Sequence, residues 1–257
     1  MQNIDASFFS LLTPVFTSIS SLAFRFFFLE YFNSSTESWH VARTAYTRSC
    51  AVNSIVGHIL GIGDRHTSNI LIQTKTGEVV HIDFGFVFEQ GKTLTFPELV
   101  PFRLTRDIVD GMGPSGTDGV FFKAAEATLA VLRHNSEALL TILSAVVSDP
   151  LYKWSISPQR ARELQQEQEI KDEDEDDDSK RKEVPSRLLS TVFNIEDDEN
   201  RNDAAARAIS KITNKLQGYE DSSSFDKSVA GQVKLLINEA RDPDNLSLMY
   251  GGWSPWL

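Results

Sequence analysis

The chain contains little cysteine and no excess of basic residues, and both absences exclude classes of protein. Cys50 is the one cysteine in 257 residues, so an internal disulfide is excluded and a reducing compartment is favoured. The formal net charge of −11 argues against direct DNA binding by this segment, because a DNA backbone requires a basic surface. The hydrophobic content of 41% allows a substantial core in one or two domains.

One uncharged stretch, Ala6 to Phe24, lacks the features of a signal or membrane segment. Asp5 precedes it and no basic residue does, which argues against a secretory signal. Ser, Thr and Pro interrupt it too often for a membrane-spanning helix. We therefore predict no membrane association.

Much of the negative charge lies in a stretch that has no means of forming a core. Residues 163–183 hold eleven acidic and four basic residues, a net charge of −7, and residues 172–178 contain no apolar side chain. Burial of apolar surface cannot offset the entropy of ordering such a segment, so we predict a disordered, solvated linker.

Two short polar motifs follow one another at a spacing that is typical of phosphoryl transfer. Residues 64–69 read Asp-Arg-His-Thr-Ser-Asn, and residues 81–85 read His-Ile-Asp-Phe-Gly. Protein kinases use a catalytic-loop Asp, an Asn five residues later and a DFG Asp that holds Mg²⁺. Here the order Asp-Arg-His reverses the usual His-Arg-Asp, and this reversal narrows the set of kinase families to which the chain could belong.

The residues between the motifs predict a β-hairpin. Ile70–Ile72 and Val79–Ile82 are rich in β-branched residues, and residues 74–77 form a turn that ends in glycine. A hairpin brings its open ends together, so the oxygens of Asn69 and Asp83 can converge on one cation such as Mg²⁺. The rival interpretation is that the acidic residues are ordinary loop carboxylates.

A helix is predicted directly before the first motif. Val52, Ile55, Val56, Ile59 and Leu60 recur at helical spacing and predict a core-facing stripe. Residues 61–63, Gly-Ile-Gly, end this helix. We interpret His58 as structural or exposed. His66 lies in the polar loop, where it could share a proton or only hydrogen-bond the loop.

Three segments resemble the phosphatidylinositol 3-kinase-related protein kinases: GIGDRHTSN at 61–69, HIDFG at 81–85 and VPFRLT at 100–105. Residues 88–92 and 104–113 are most similar to the ataxia-telangiectasia-mutated (ATM) branch. The resemblance runs from about Phe26 to Leu257. It implies an α+β, mostly helical fold with a catalytic hairpin in a PI3/PI4-kinase-type C-lobe. It also implies a nuclear, DNA-damage-activated, non-specific serine/threonine protein kinase that prefers Gln after the target residue.

The resemblance also implies roles for individual residues. Asp64 would orient the substrate hydroxyl and accept its proton, and His66 would stabilise charge near the transferring phosphoryl group. Asn69 and Asp83 would bind Mg²⁺ (or Mn²⁺) with ATP. Leu71 and Ile82 would form the apolar floor under adenine, although hairpin core is an equal alternative.

The family pattern divides the chain into four parts. They are a partial kinase entry segment (1–37), a kinase C-lobe (38–162) with catalytic loop 61–69 and activation segment 81–105, an acidic linker with a regulatory helix (163–224), and a FATC module (225–257). Thr17–Phe24 looks inserted, as a surface loop or a gene-model artefact. No Gly-rich loop or strand lysine precedes Asp64, so the N-lobe is absent and we expect residues 1–257 alone to be inactive.

Apolar patterns predict the helices of the C-terminal half. One pattern lies before the linker at 120–132, a second spans 139–147, a third runs from Ala205 to Leu216, and a fourth from Val229 to Ala240. A second apolar turn contains Leu246, Leu248 and Met249. Trp253 and Trp256 each carry a large apolar area, so we predict that both are buried against the C-lobe.

Several alternatives remain open at this point. Residues 113–119 also resemble the sister kinase that responds to single-stranded DNA. A lipid kinase would need a basic activation segment, whereas residues 86–105 hold Lys92 and Arg103 against Glu89 and Glu98. An inert scaffold would lack the catalytic residues. The family further implies protein substrates with Ser/Thr-Gln sites, DNA-damage sensor complexes bound through upstream regions, and a homodimer.

Overall fold

The computed structural model describes residues 16–18, 24–147, 198–220 and 226–256. The acidic stretch at 163–183 and most of the segment predicted to be inserted at 17–24 lie outside these residues. The strands are β1 (Phe16–Ser18), β2 (Ile70–Gln73) and β3 (Val79–His81). The helices are α1 (Phe24–Tyr31), α2 (Thr36–Leu60), α3 (Arg106–Gly111), α4 (Phe122–His134), α5 (Ser136–Val147), α6 (Asp198–Gln217), α7 (Val229–Ala240) and α8 (Pro243–Ser247).

The strands form one antiparallel sheet in the order β1-β2-β3. The predicted hairpin is confirmed: Ile70 pairs with His81 and Ile72 with Val79. Gly77 has a φ of +78°, which the tight turn requires and which glycine adopts without steric cost. Strand β1, which pairs with β2, was not predicted.

Helix α2 is the central support of the hairpin. The capping box between Ser35 and Ser38 starts it, and Gly61 in the left-handed conformation ends it, as predicted. Ser49 Oγ accepts a hydrogen bond of 2.8 Å from the Val79 amide, and Asn53 Nδ2 donates one of 3.0 Å to the Val79 carbonyl. These bonds fix strand β3, and hence the DFG motif, relative to the helix.

The core lies between α2 and the helices that cover it, since α2 packs against α4 and α4 packs against α7. Ile55 and Ile59 of the predicted stripe are buried, but Val52 is 42% exposed, so that part of the prediction is wrong. A larger set of fully buried side chains fills the centre: Phe27, Phe28, Tyr46, Ile72, Leu104, Phe121, Leu129 and Leu236. Burial raises the pKa of the Cys50 thiol to about 12, so this cysteine is unreactive.

The mostly helical α+β fold is confirmed, and the predicted C-terminal helices correspond to α4, α5, α6 and α7. Asp242 caps α8 through the Asp244 amide, and Pro243 begins that helix. The two terminal tryptophans differ: Trp253 is 5% exposed, whereas Trp256 is 56% exposed. The prediction for Trp256 is therefore wrong, because the chain meets the C-lobe there through its backbone rather than its indole. Leu248, at 63% exposed, is likewise outside the core.

None of the helices in the described ranges combines the length and the apolar character needed to cross a membrane.

Candidate active site

The open end of the β2–β3 hairpin brings the two sequence motifs together. Asn69 lies one residue before β2, and Asp83 lies two residues after β3. The Ile82 amide donates a 3.0 Å hydrogen bond to the Asn69 carbonyl, which extends the ladder by one pair. Asn69 and Asp83 are therefore held close together at the open ends of two paired strands.

A second link joins Asn69 to the catalytic loop. The side-chain Nδ2 of Asn69 donates a 2.8 Å hydrogen bond to the Asp64 carbonyl oxygen and lies 3.5 Å from the carboxylate Oδ2 of Asp64. Asn69 is buried, so this hydrogen bond also satisfies a polar group that would otherwise be desolvated. Asp64, Asn69 and Asp83 thus form one connected constellation.

Arg65, which the sequence analysis did not single out, joins the two motifs through their backbones. Its buried guanidinium donates to the carbonyls of Gly63 (2.9 Å), Ile82 (2.7 Å) and Asp83. Burial lowers the pKa of Arg65, while the nearby carboxylates of Asp64, Glu98 and Asp83 oppose that shift. The planar group with its five donors suits this three-carbonyl arrangement, and a lysine could not reproduce it.

Both acidic residues of the site have left-handed backbones. The φ angle is +59° at Asp64 and +55° at Asp83. Residues with a Cβ adopt this region infrequently, and aspartate tolerates it better than most. The Gly85 amide donates a 3.0 Å hydrogen bond to Asp83 Oδ1, which fixes the carboxylate within the DFG turn.

His66 lies beside Asp64 on the same loop. Its Nδ1 accepts a 3.2 Å hydrogen bond from the Ser68 amide, and its Nε2 is 4.0 Å from Asp64 Oδ1. The ring therefore has one nitrogen held by the loop and the other facing the carboxylate. Sequence reasoning left open whether this histidine only stabilises the loop, and the geometry allows both roles.

The oxygen atoms of Asn69 and Asp83 suit a magnesium ion, which prefers oxygen ligands and commonly takes one or two from the protein and the rest from phosphates and water. Because the Asn69 nitrogen donates to Asp64, its Oδ1 is the atom that remains to accept a cation. Within the described ranges no cluster of three or more His, Cys, Asp or Glu could hold a metal. The two-residue set therefore fits a phosphate-associated Mg²⁺ better than a metal held by protein alone.

Leu71 and Ile82 stand differently from the hairpin residues that fill the core. Ile70 and Ile72 belong to the central cluster, whereas Leu71 is buried but outside it. Since successive residues of a strand point to opposite faces, Leu71 lies on the face away from α2. Ile82 is half-buried directly beside Asp83. Both interpretations of Leu71, adenine floor and hairpin core, therefore stay predictions.

Glu98, in the predicted activation segment, is a further site residue that sequence reasoning missed. Its Oε1 accepts a 2.7 Å hydrogen bond from the Asp64 amide, across 34 positions of sequence. Burial raises the pKa of Glu98 to about 7, and the Asp64 carboxylate also raises it, whereas the Asp64 amide and Arg65 lower it. No local pattern signals such a contact, because it depends on how the activation segment folds back onto the catalytic loop.

The C-terminal tail is bound to the activation segment. Arg103 donates to the carbonyls of Trp253 and Ser254, and Arg106 at the start of α3 donates to the Trp256 carbonyl at 2.9 Å. The rings of Phe96 and Tyr250 stack with centroids 5.7 Å apart. The tail and the activation segment are therefore one packed unit.

Comparisons with known proteins identify the family. Residues 9–156 match the family described as "Phosphatidylinositol 3- and 4-kinase", and residues 226–257 match the FATC domain. The chain is 47% identical over 232 residues to "Serine/threonine-protein kinase ATM" of Arabidopsis thaliana, which covers 90% of this chain and 6% of the relative. It is 45% identical over 234 residues to "Serine-protein kinase ATM" of Sus scrofa, covering 91% of this chain and 7% of that relative.

Solved structures give the same result. The structure described as "FAT and kinase domain of CtTel1" matches with a TM-score of 0.70 at 42% identity, over 91% of this chain and 14% of that one. The structure described as "Tel1 kinase butterfly symmetric dimer" matches with a TM-score of 0.66 at 38% identity, over 90% of this chain and 8% of that one. The predicted family resemblance, including the FATC module, is confirmed. The chain belongs to the phosphatidylinositol 3- and 4-kinase family and ends in a FATC domain.

Proposed function

We propose that the full-length protein transfers the γ-phosphate of ATP to serine or threonine side chains of protein substrates, as an ATM- or Tel1-type kinase. The observation that carries this proposal is the connected constellation of Asp64, Asn69 and Asp83. Arg65 and the side-chain hydrogen bond from Asn69 to the Asp64 carbonyl hold it together. A catalytic-loop Asp, an Asn five residues later and a DFG Asp are the residues that protein kinases use for phosphoryl transfer. The names of the relatives support the choice of a protein kinase over a lipid kinase.

In this mechanism the protein supplies position and charge. Asp64 holds the substrate hydroxyl and receives its proton. The Nε2 of His66 lies 4.0 Å from Asp64 Oδ1, where it stabilises the negative charge that develops near the transferring phosphoryl group. Asn69 and Asp83 present oxygens to the metal–nucleotide complex. Asn69 and Asp83 would hold Mg²⁺, which would supply positive charge to offset part of the phosphate charge.

We further propose that the activation segment, residues 81–105, binds the peptide. A cavity of about 400 Å³ lies between it, the catalytic loop and the C-terminal helices, with Gly63, Glu98, Val100, Glu239 and Asn245 among its lining residues. The cavity borders the catalytic loop without including Asp64, which fits a place for residues that follow the target serine. The preference for Gln after that serine belongs to the same proposal.

The wider role follows the same reasoning. We propose a nuclear kinase of the DNA-damage response whose sensor complexes bind outside this chain, since the net charge of −11 disfavours DNA contact here. A homodimer is supported by the symmetric dimer described for Tel1.

The test uses the purified full-length protein with ATP and Mg²⁺. Four substrates are compared: a Ser-Gln peptide, the same peptide with Ser-Ala, a Thr-Gln peptide, and vesicles that contain phosphatidylinositol. We expect transfer to the two Gln peptides, little to Ser-Ala and none to the vesicles.

The Asp64→Asn variant is the matched control, because it preserves the side-chain shape and removes the proton acceptor. Transfer to vesicles but not to peptides would support the lipid-kinase alternative. Equal activity of the Asp64→Asn variant and the wild type would show that the transfer comes from a contaminant, and the proposal would fail.

A further inference from the structure

A cluster of charged and polar side chains lies behind the catalytic loop, on the wall of the cavity that we propose for the peptide. Its centre is Glu89, whose side chain is 7% exposed and contacts Lys215 at 2.7 Å, Lys211 at 2.6 Å and Lys92 at 3.1 Å. Burial alone would raise the pKa of Glu89, but these lysines outweigh burial and hold that pKa well below its usual range. The carboxylate is therefore charged and fixed from three sides.

The backbone of Glu89 is attached to the segment that carries Asp64. Phe88 donates to the Leu60 carbonyl and Glu89 to the Gly61 carbonyl, each at 2.9 Å, and the Gly63 amide donates to Phe86 at 2.9 Å. A Cβ at position 61 would collide with the Glu89 nitrogen, so only glycine at this position allows the two backbone segments to approach so closely. Phe88 and Glu89 both have left-handed backbones, with φ of +56° and +63°.

Lys215 gives this attachment a second end on helix α6. Its Nζ donates to the His58 carbonyl at 2.8 Å as well as contacting Glu89, so one buried cation binds the last turn of α2 and the activation segment together. A cation at the C-terminal carbonyls of a helix is favourable because it complements the negative end of the helix dipole. Moving α6 would therefore displace both the end of α2, which precedes Asp64, and the activation segment, which follows it.

The network continues to the FATC domain. His58 Nε2 lies 3.0 Å from Glu220 Oε1. Burial lowers the pKa of His58, and Lys215 acts in the same direction, whereas Glu220 raises it. Gln232 of α7, which is fully buried, donates to Glu220 and, at 2.9 Å, to the Lys215 carbonyl. A continuous path of hydrogen bonds thus links α7, α6 and the catalytic loop.

We propose that Glu89 is a positioning residue, which sets the place of Asp64 by holding residues 60–63 against the activation segment and which couples that segment to α6 and the FATC helix α7. The inference rests on the proposed kinase function. Glu89 lies outside the nucleotide site but lines the cavity that we propose for the peptide. A contact with the peptide would raise the KM for the peptide, whereas an effect on the orientation of Asp64 lowers kcat. A displacement of about 1 Å at a reacting group can lower a rate by about 100-fold.

A purely structural role makes a different prediction, and a double variant separates the two. Glu89→Gln removes the ion-pair partner of Lys215, and Lys215→Met leaves Glu89 without its buried partner. The combination of both changes removes the pair, and a buried pair that is replaced by neutral groups commonly costs little stability. If the cluster only stabilises the fold, the double variant should recover stability and activity together.

The experiment measures kcat, the KM for ATP and for the Ser-Gln peptide, thermal stability, and amide hydrogen exchange over residues 60–64 in the full-length protein. We expect Glu89→Gln to lower kcat by about 100-fold, with little change in the KM for ATP and faster exchange at 60–64. The double variant should regain thermal stability while kcat stays low. Lys123→Met is the control, since Lys123 and Glu126 form a surface pair at the same 2.7 Å.

Three outcomes would overturn the inference: wild-type kcat in Glu89→Gln, recovery of kcat with stability in the double variant, or unchanged exchange at 60–64. Should Glu89→Gln not fold, the double variant carries the kinetic test. Hydrogen exchange is measured without any substrate, so it reports on the role of Glu89 even if the full-length protein transfers no phosphate. Absence of phosphate transfer would contradict only the proposed function.

Discussion

The guanidinium of Arg103 lies over the indole of Trp253, 4.4 Å from the ring centroid, and also donates to two carbonyls of the tail. Burial lowers the pKa of Arg103 to about 10, so the group remains charged near neutral pH. One side chain of the activation segment therefore contacts both the ring and the backbone of the FATC tail. This explains why the tail is ordered against the segment although Trp256 projects outward.

Trp253 and Trp256 should respond very differently to truncation. Trp253→Ala should cost about 3–5 kcal/mol of local stability, because a buried indole leaves a cavity. Trp256→Ala should cost less than about 1 kcal/mol, since its ring is largely exposed and its backbone contact with Arg106 survives. Hydrogen exchange over residues 100–106 and 250–256 measures both effects. Equal losses in the two variants would contradict the docked arrangement described here.

Glu98 should make the catalytic loop less stable as the pH rises. The folded protein keeps the Glu98 proton up to about pH 7, whereas the unfolded chain releases it near 4.5, so the folded state binds more protons between these values. Glu98→Gln keeps an acceptor for the Asp64 amide and cannot ionise. The variant should therefore gain local stability over the wild type across this window, on the order of 2 kcal/mol.

Exchange of the amides at 61–69, compared between the two proteins at each matched pH, measures this gain. Glu137→Gln, at an exposed position on α5, is the control. A difference between Glu98→Gln and wild type that does not change with pH would show that Glu98 is not protonated in the folded state.

Asp64 and Asp83 should differ in the kind of defect that their loss produces. Asp83→Ala should remove metal-dependent nucleotide binding and turnover together, because it takes away the charged ligand. Asp64→Ala should leave Mg-ATP affinity nearly intact while abolishing transfer, since its role is to orient the substrate hydroxyl. Nucleotide affinity and turnover are measured at several Mg²⁺ concentrations in the full-length protein. If both variants lose affinity equally, the two carboxylates form one shared metal site.

Arg65→Lys should separate the two motifs while keeping the charge. A lysine cannot donate simultaneously to the Gly63, Ile82 and Asp83 carbonyls, so the DFG turn loses its fixed distance from the catalytic loop. We expect turnover to fall by about 10- to 100-fold, together with a higher Mg²⁺ requirement. Arg207→Lys, on the exposed surface of α6, is the control. Unchanged Mg²⁺ dependence would show that Arg65 does not position Asp83.

The hairpin and its two motifs could be predicted because their signals are local. β-Branched residues on both sides of the Gly77 turn define the strands, and the strands then place Asn69 and Asp83 at one end. Helix α2 was similarly predictable from its stripe and from Gly61. The type and order of these elements follow from periods of two and 3.6 residues.

Contacts between distant segments could not be predicted in the same way. Glu98 reaches the Asp64 amide, and Glu89 reaches Lys215 of α6, only after the activation segment and α6 have packed. The burial of both tryptophans was expected from apolar area alone, but Arg106 binds the backbone at Trp256 and leaves its ring outside. Val52 follows the helical period of the stripe yet lies at its solvent edge.

The left-handed backbones of Asp64 and Asp83 imply a trade-off between durability and activity. Each side chain with a Cβ in this conformation stores conformational strain, of order 1 kcal/mol at the low end for such sites. Glycine at either position would relieve the strain and remove the carboxylate, so the variant should have higher thermal stability and lower catalytic activity. A search for thermally robust variants of this chain that scores only folding would therefore select against its own active site.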